Sequence, residues 1–142
     1  MLRSPQQVFV QGPYLYPCFT AAATCAWTRL KANPPRIALA NPNSGPGTAA
    51  DSKWQRLINE VQAVGTLMLG YAYTTTGSRA IATVRTEINN YFAFYPNISG
   101  IFVDQVSTLC GATQLAYYKN VTQHVRSRNP NAVVIFNWGS GE

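Results

Sequence analysis

The feature that most constrains this chain is a recurring unit of roughly 30 residues, the size of a strand-helix repeat. Short apolar runs stand at Val8–Tyr14, Arg36–Ala40, Thr66–Ala72, Gly100–Val103 and Ala132–Phe136. Most are continuously apolar rather than alternating, the pattern of strands covered on both faces. Each is followed by turn-forming residues and then by apolar positions at helical spacing. A short helix is expected at Ala22–Leu30, carrying Trp27 and ended by Pro34-Pro35. After the loop Asn41-Pro42-Asn43-Ser44-Gly45-Pro46-Gly47, Asp51 or Ser52 can cap a second helix. Its stripe is Trp54, Leu57, Ile58, Val61 and Val64. Ser78 can cap a third, with Ile81, Val84, Ile88 and Phe92 on one face and Pro96 as its stop. The fourth covers residues 112–128, with Leu115, Tyr118 and Val125 on a face and Asn129-Pro130 beyond it. The order β-α-β-α-β-α-β-α-β requires a parallel sheet covered by helices.

The 142 residues suffice for a single domain with a real core, and 46% hydrophobic against 11% charged residues describes a globular chain. No apolar run approaches the ~20 residues of a membrane span. The first residues, MLRSPQQ, lack the apolar stretch of a signal peptide, so the chain is expected to be intracellular or to have an incomplete start. The net charge of +6 is scattered, without a Lys/Arg block or a nucleic-acid motif, so a solvated basic surface is expected and no nucleic-acid partner. There is no Cys-x-x-Cys, and the single histidine, His124, has no evident partner, so neither a metal nor another cofactor is expected. Cys18 and Cys25 fit a small disulfide loop in an oxidising compartment as well as they fit two reduced, partly buried thiols. Two sequons are present, Asn97-Ile98-Ser99 and Asn120-Val121-Thr122.

In a parallel α/β architecture the carboxyl ends of the strands share one side, and that side binds ligands. Here the strand ends lead into Tyr14 and Tyr16, Asn41 and Asn43, Tyr71 and Tyr73, Asp104 and Gln105, and Asn137 and Trp138. Aromatic rings can stack on pyranose faces while amides and a carboxylate bond hydroxyls, so this collection suits a sugar. The same tyrosines also suit a core edge, and the asparagines suit turns. Asp104 stands out. It follows Ile101-Phe102-Val103 directly, in a chain with five carboxylates. Partial desolvation there raises a carboxyl pKa unless a donor pairs with it, which makes Asp104 the candidate acid, base or nucleophile. Arg79, after the third strand, is the candidate neutraliser that would make Asp104 structural instead.

The sequence resembles the spherulin-4 family (spherulation-specific family 4). The resemblance is carried by "GPYLYP" with Trp27, "ALANPNSGPG" with Trp54, "VGTLMLGYAYTTTGSR", "YFAFYPNISGIFVDQVST" and "YYKNVTQHVRSRNPNAVVIFNWGS". It implies a (β/α)8 TIM-type barrel with a groove at the C-terminal face, here as a partial barrel of about five strands and four helices spanning residues 1–142. It also implies a glycoside hydrolase acting on a galactosamine-containing polysaccharide, extracellular or at the cell wall. Asp104 would be a catalytic carboxylate, and Tyr16, Asn41, Asn43, Tyr73, Gln105, Asn137 and Trp138 would line the sugar groove.

Two departures weaken the implied enzyme. Gln105 stands where the family usually has Glu, and an amide exchanges no proton near neutral pH. The family pattern stops after the fifth strand, before a further carboxylate is reached, and terminal Glu142 matches no motif. Glycosidic cleavage usually needs two carboxyl groups across the bond. Three readings follow: a fragment or weakened form of a hydrolase, a carbohydrate-binding or cell-wall or spore-coat protein that does not cut, and a half-barrel that pairs with a second copy. Open edges on the first and fifth strands would favour such self-association.

Overall fold

A computed structural model describes residues 10–11, 15–20 and 24–138. The described elements are β1 (Val10–Gln11), α1 (Ala26–Ala32), β2 (Ile37–Ala40), α2 (Ser52–Ala63), β3 (Leu67–Tyr73), α3 (Ile81–Phe94), β4 (Gly100–Asp104), α4 (Ala112–Arg128) and β5 (Val133–Phe136). The strands form one parallel sheet in the order β1-β2-β3-β4-β5. Consecutive strands are neighbours throughout, so every crossover steps in one direction across the sheet. Of the expected first strand, Val8, Phe9 and residues 12–14 lie outside the described residues, as does Glu142.

Several helix boundaries differ from expectation, each for a local reason. α1 begins at Ala26, directly after Cys25, which is disulfide-bonded to Cys18 and extended at φ −86°; Ala22, where the helix was expected to start, lies outside the described residues. The two cysteines are therefore paired. The helix runs on to Ala32, since only Asn33, next to Pro34, is forced out of helical backbone. Asp51 caps α2 by accepting from the backbone N–H groups of Lys53 and Trp54. Trp54, Leu57, Ile58 and Val61 are buried as the stripe requires, while Val64 is an exposed terminus before Gly65. Ser78 does not cap α3. Its hydroxyl closes a tight turn on the Thr75 carbonyl, and Ala80 stands at the N-cap of α3, before Ile81. The buried face of α3 is Val84, Ile88 and Tyr91, with Phe92 half-buried, and that of α4 is Val121 and Val125, leaving Leu115 in solvent.

The core lies mainly between sheet and helices. Small strand residues Ala38, Ala40 and Ala72 face Trp54, Tyr91 and their neighbours from α2 and α3. Gly70 belongs to the same close approach: a Cβ there would lie 2.7 Å from the Tyr91 ring. The Tyr91 hydroxyl donates to the Tyr71 carbonyl at 2.7 Å and lies 3.1 Å from that of Ala40, so α3 is tied to two strands at once. The opposite face carries bulkier strand side chains, Ile37, Leu39, Leu69, Tyr71 and Phe102, flanked by Leu67, Tyr73, Val133 and Ile135. At Gly100 a side chain is impossible, because its Cβ would meet the Val133 carbonyl at 1.9 Å.

Candidate functional site

Alternation along the strands sorts the candidate residues by face. Leu67, Leu69, Tyr71 and Tyr73 share one side of β3, and Tyr73 is in register with Asp104 of β4. Asp104 closes its strand two positions after Phe102, on the face turned away from the helices. Its two carboxylate oxygens are both engaged. Oδ2 accepts from the Tyr71 hydroxyl at 2.8 Å, and Oδ1 accepts from the Asn137 amide at 2.8 Å. Three adjacent strands thus converge on one carboxylate. Tyr71 itself is 6% exposed and stacks on Phe102, so its hydroxyl is aimed by packing. Asn137 is fixed through its backbone, donating to the Val103 carbonyl at 2.8 Å and accepting from Val106 N–H at 3.0 Å.

Arg79 does not neutralise Asp104. It forms a two-point ion pair with Glu87 of α3, and its guanidinium lies 3.9 Å from the centre of the Tyr73 ring. Glu87 first, and Tyr73 and Tyr117 beside it, hold the Arg79 pKa above its ordinary value. Asp51 is engaged at the cap of α2, and Glu60 pairs with Lys31 and Arg56. Among the described residues, then, each other carboxylate is committed elsewhere and none touches Asp104.

The loops after β3 and β4 meet beside Asp104 under backbone strain. Thr75, Thr76 and Gln105 all have left-handed backbones, at φ 46°, 53° and 53°. Such conformations are costly for β-branched threonine and persist where surrounding contacts enforce them. The contacts are present. Thr76 N–H donates to the Gln105 carbonyl at 2.8 Å, and the buried Thr74 hydroxyl lies 2.8 Å from the same carbonyl. The Tyr118 hydroxyl from α4 completes the junction, 3.1 Å from Thr74 Oγ1 and accepting from Ser107 N–H at 2.8 Å. Gln105 is thereby turned outward and exposed.

The other expected residues divide. Asn41 follows Ala40, which is paired with Gly70, and is 6% exposed. Its Oδ1 accepts from Gly45 N–H at 2.8 Å and so shapes the 41–47 loop, while its Nδ2 is buried without a hydrogen-bond partner. The Gly45 donor fixes which end of this amide is oxygen. Asn43 is exposed on the same loop. Tyr16 is spent on the cap of α2: its hydroxyl donates to Asp51 at 2.9 Å, which raises its pKa, and Lys53 lies over its ring. Trp138, just beyond β5, turns to the other side of the sheet from Asn137. It lines a groove of about 290 Å³ with Phe136, Leu109, Leu115 and Tyr118. Tyr71 and Thr74 were not among the expected groove residues. Strand alternation shared with Tyr73 is the signal for Tyr71, but only the register shows that its hydroxyl reaches Asp104.

Residues 12–141 match the family described as spherulation-specific family 4. The chain belongs to this family. Spherulin-4 of Physarum polycephalum is 36% identical over 130 residues, 89% of this chain and 37% of that protein. The crystal structure of Aspergillus clavatus Sph3 in complex with GalNAc matches with a TM-score of 0.67 at 32% identity, covering 72% of this chain and 46% of Sph3. The family member described here thus spans less than half the length of either relative it matches. The fold is a mixed α/β arrangement on a parallel sheet, similar to that of Sph3. No helix among the described residues is long and apolar enough to cross a membrane, and no described cluster of His, Cys, Asp or Glu could hold a metal ion.

Proposed function

We propose that this chain supplies the strand-end face of a (β/α)8-type glycoside hydrolase scaffold acting on a galactosamine-containing polysaccharide outside the cell or at its wall. The observation that carries the reading is the grip of Tyr71 and Asn137 on Asp104 at the end of β4. Both oxygens accept from neutral donors, which orients the carboxylate and leaves it to act as an acceptor, suited to a nucleophile, a base or a stabiliser of positive charge at the sugar. The likeness to a protein solved with GalNAc supports the sugar class. A net charge of +6 favours a neutral, N-acetylated stretch of such a polymer over a cationic, deacetylated one.

In this proposal Asp104 is the catalytic carboxylate. Asn41 shapes the 41–47 loop through Gly45 and so acts on the groove from beneath it, Tyr73 gives a ring surface, and Tyr16, Asn43, Gln105 and Trp138 contact the polymer further out. Asn137 serves Asp104 first, and the substrate only through it. The second reading, carbohydrate binding without cleavage, is favoured by Gln105 and by the commitment of Asp51, Glu60 and Glu87 elsewhere.

Reducing-end release from acetylated and deacetylated galactosaminogalactan, beside calorimetric titration with GalNAc oligosaccharides, tests both. Release lost in Asp104→Asn with binding retained supports the hydrolase. Binding without release supports the second reading. Neither binding nor release from a folded chain would sink both.

A further inference from the structure

We infer that Asn97 is an N-glycan acceptor and that Asn120, in the second sequon, is not. Three observations converge. The disulfide between Cys18 and Cys25 belongs to an oxidising compartment, such as the secretory route where N-glycans are added. Asn97 is exposed on the turn between α3 and β4, with Ile98 and Ser99 completing the acceptor triplet. The turn is also held in place: the Asn97 carbonyl accepts from Gln62 of α2 at 2.6 Å, and its Nδ2 donates to Asn59 at 2.9 Å. Glycosylation replaces one of the two Nδ2 hydrogens, so the remaining one can keep the Asn59 bond.

The position is compatible with the proposed site. Asn97 precedes β4 at its amino end, whereas Asp104 closes its carboxyl end. The strand alone sets about 13 Å between its ends. A glycan there would shield the base of the sheet and leave the carbohydrate-facing edge open.

Asn120 has the same triplet chemistry in a different place. It lies within α4, is half-buried, and its Oδ1 accepts from Arg85 Nε of α3 at 2.8 Å. The next residue, Val121, is fully buried in the core. A glycan on Asn120 would have to leave between two packed helices and would break the Arg85 bond. The Ser99 hydroxyl donates to Gln62 in the folded chain, so transfer to Asn97 precedes docking of this turn on α2. In the transfer, Nδ2 loses a proton and bonds to the sugar C1, while the C1–O bond to a lipid diphosphate breaks. The lipid-linked oligosaccharide is the donor.

The test is to pass residues 1–142 through the secretory route of a eukaryotic host and map glycans by peptide mass spectrometry. Digestion with an amidase that converts glycosylated Asn to Asp marks the site. The expected result is conversion at Asn97 alone and a mobility shift lost completely in Asn97→Gln. Ser99→Ala, which leaves the asparagine in place, should lose the same shift and guards against a folding defect of the first variant. Secreted chain with an unmodified Asn97, or with glycan on Asn120, overturns the assignment.

Discussion

The two faces of the sheet are built by opposite rules. On the helix side the strands contribute small residues, Ala38, Ala40, Gly70 and Ala72, and the helices supply the bulk with Trp54, Ile58, Ile88 and Tyr91. On the other side the strands supply the bulk themselves, with Leu39, Leu69, Tyr71 and Phe102 packed across the sheet. The first face can only hold the fold together, since its side chains are enclosed and almost wholly apolar. The second runs at its carboxyl end into Tyr71, Asp104 and Asn137, where hydrogen bonds take over from packing. Stability and chemistry are thus separated by one residue of alternation along β3 and β4. At the carboxyl ends of β3 and β4 a substitution on the helix side should therefore act on stability, and one at the Tyr71 hydroxyl or Asp104 chiefly on the site.

The largest effect that would break this division is expected at Trp54. Trp54→Ala removes a fully buried indole, together with its edge-to-face contact to Trp27, and should cost about 3–5 kcal/mol in denaturant unfolding. If it left stability intact, the helix face would not be the main core. Reducing the Cys18–Cys25 bond should cost about 2–3 kcal/mol by loop closure, seen as a lower unfolding midpoint under reductant. Gly70→Ala overpacks the Tyr91 ring and is expected to destabilise by about 1–3 kcal/mol while leaving ligand binding to the folded fraction unchanged. On the other face, Tyr71→Phe removes one hydroxyl and should cost only about 1 kcal/mol in stability, yet weaken whatever depends on the orientation of Asp104. Equal losses of stability from Gly70→Ala and Tyr71→Phe, with equal effects on ligand, would erase the contrast.

The smallest expected effect is a pH dependence. Burial first, then the Arg85 charge, lowers the His124 pKa from its ordinary 6.5. The unfolded chain then binds the proton more readily than the folded one, so this contribution to stability is present above pH 6.5 and is lost as pH falls below it. Thermal unfolding across that range should show a shallow decline that His124→Gln flattens. The Nε2 of His124 lies 3.0 Å from Asn89 Oδ1, so Gln keeps an amide partner there.

Much of the fold was legible because the chain repeats one simple pattern. Apolar runs bounded by Pro, Gly and Asn locate β2, β3, β4 and β5 to within a residue or two, and Asp51 announces the start of α2 by its side-chain chemistry. Helix ends were less legible where the signal was not a side chain. α1 starts directly after Cys25, which is bonded to a residue seven positions away, and Ser78 is diverted into the Thr75 turn. The family was likewise legible in the motifs around the 41–47 loop and Asp104, and the match over residues 12–141 shows it.

What the sequence by itself determined is the order of elements, the side of the sheet on which Asp104 and its amide and aromatic neighbours emerge, and the family. Those follow from short-range periodicity and from the rule that parallel strands end together. Tertiary structure alone decided which groups touch. Arg79 went to Glu87 rather than Asp104, Tyr71 rather than Tyr73 reached the carboxylate, and Trp138 turned to the opposite side of β5 from Asn137. A hydrogen bond depends on register and side-chain aim across strands about 30 residues apart in sequence, and neither is written in local composition.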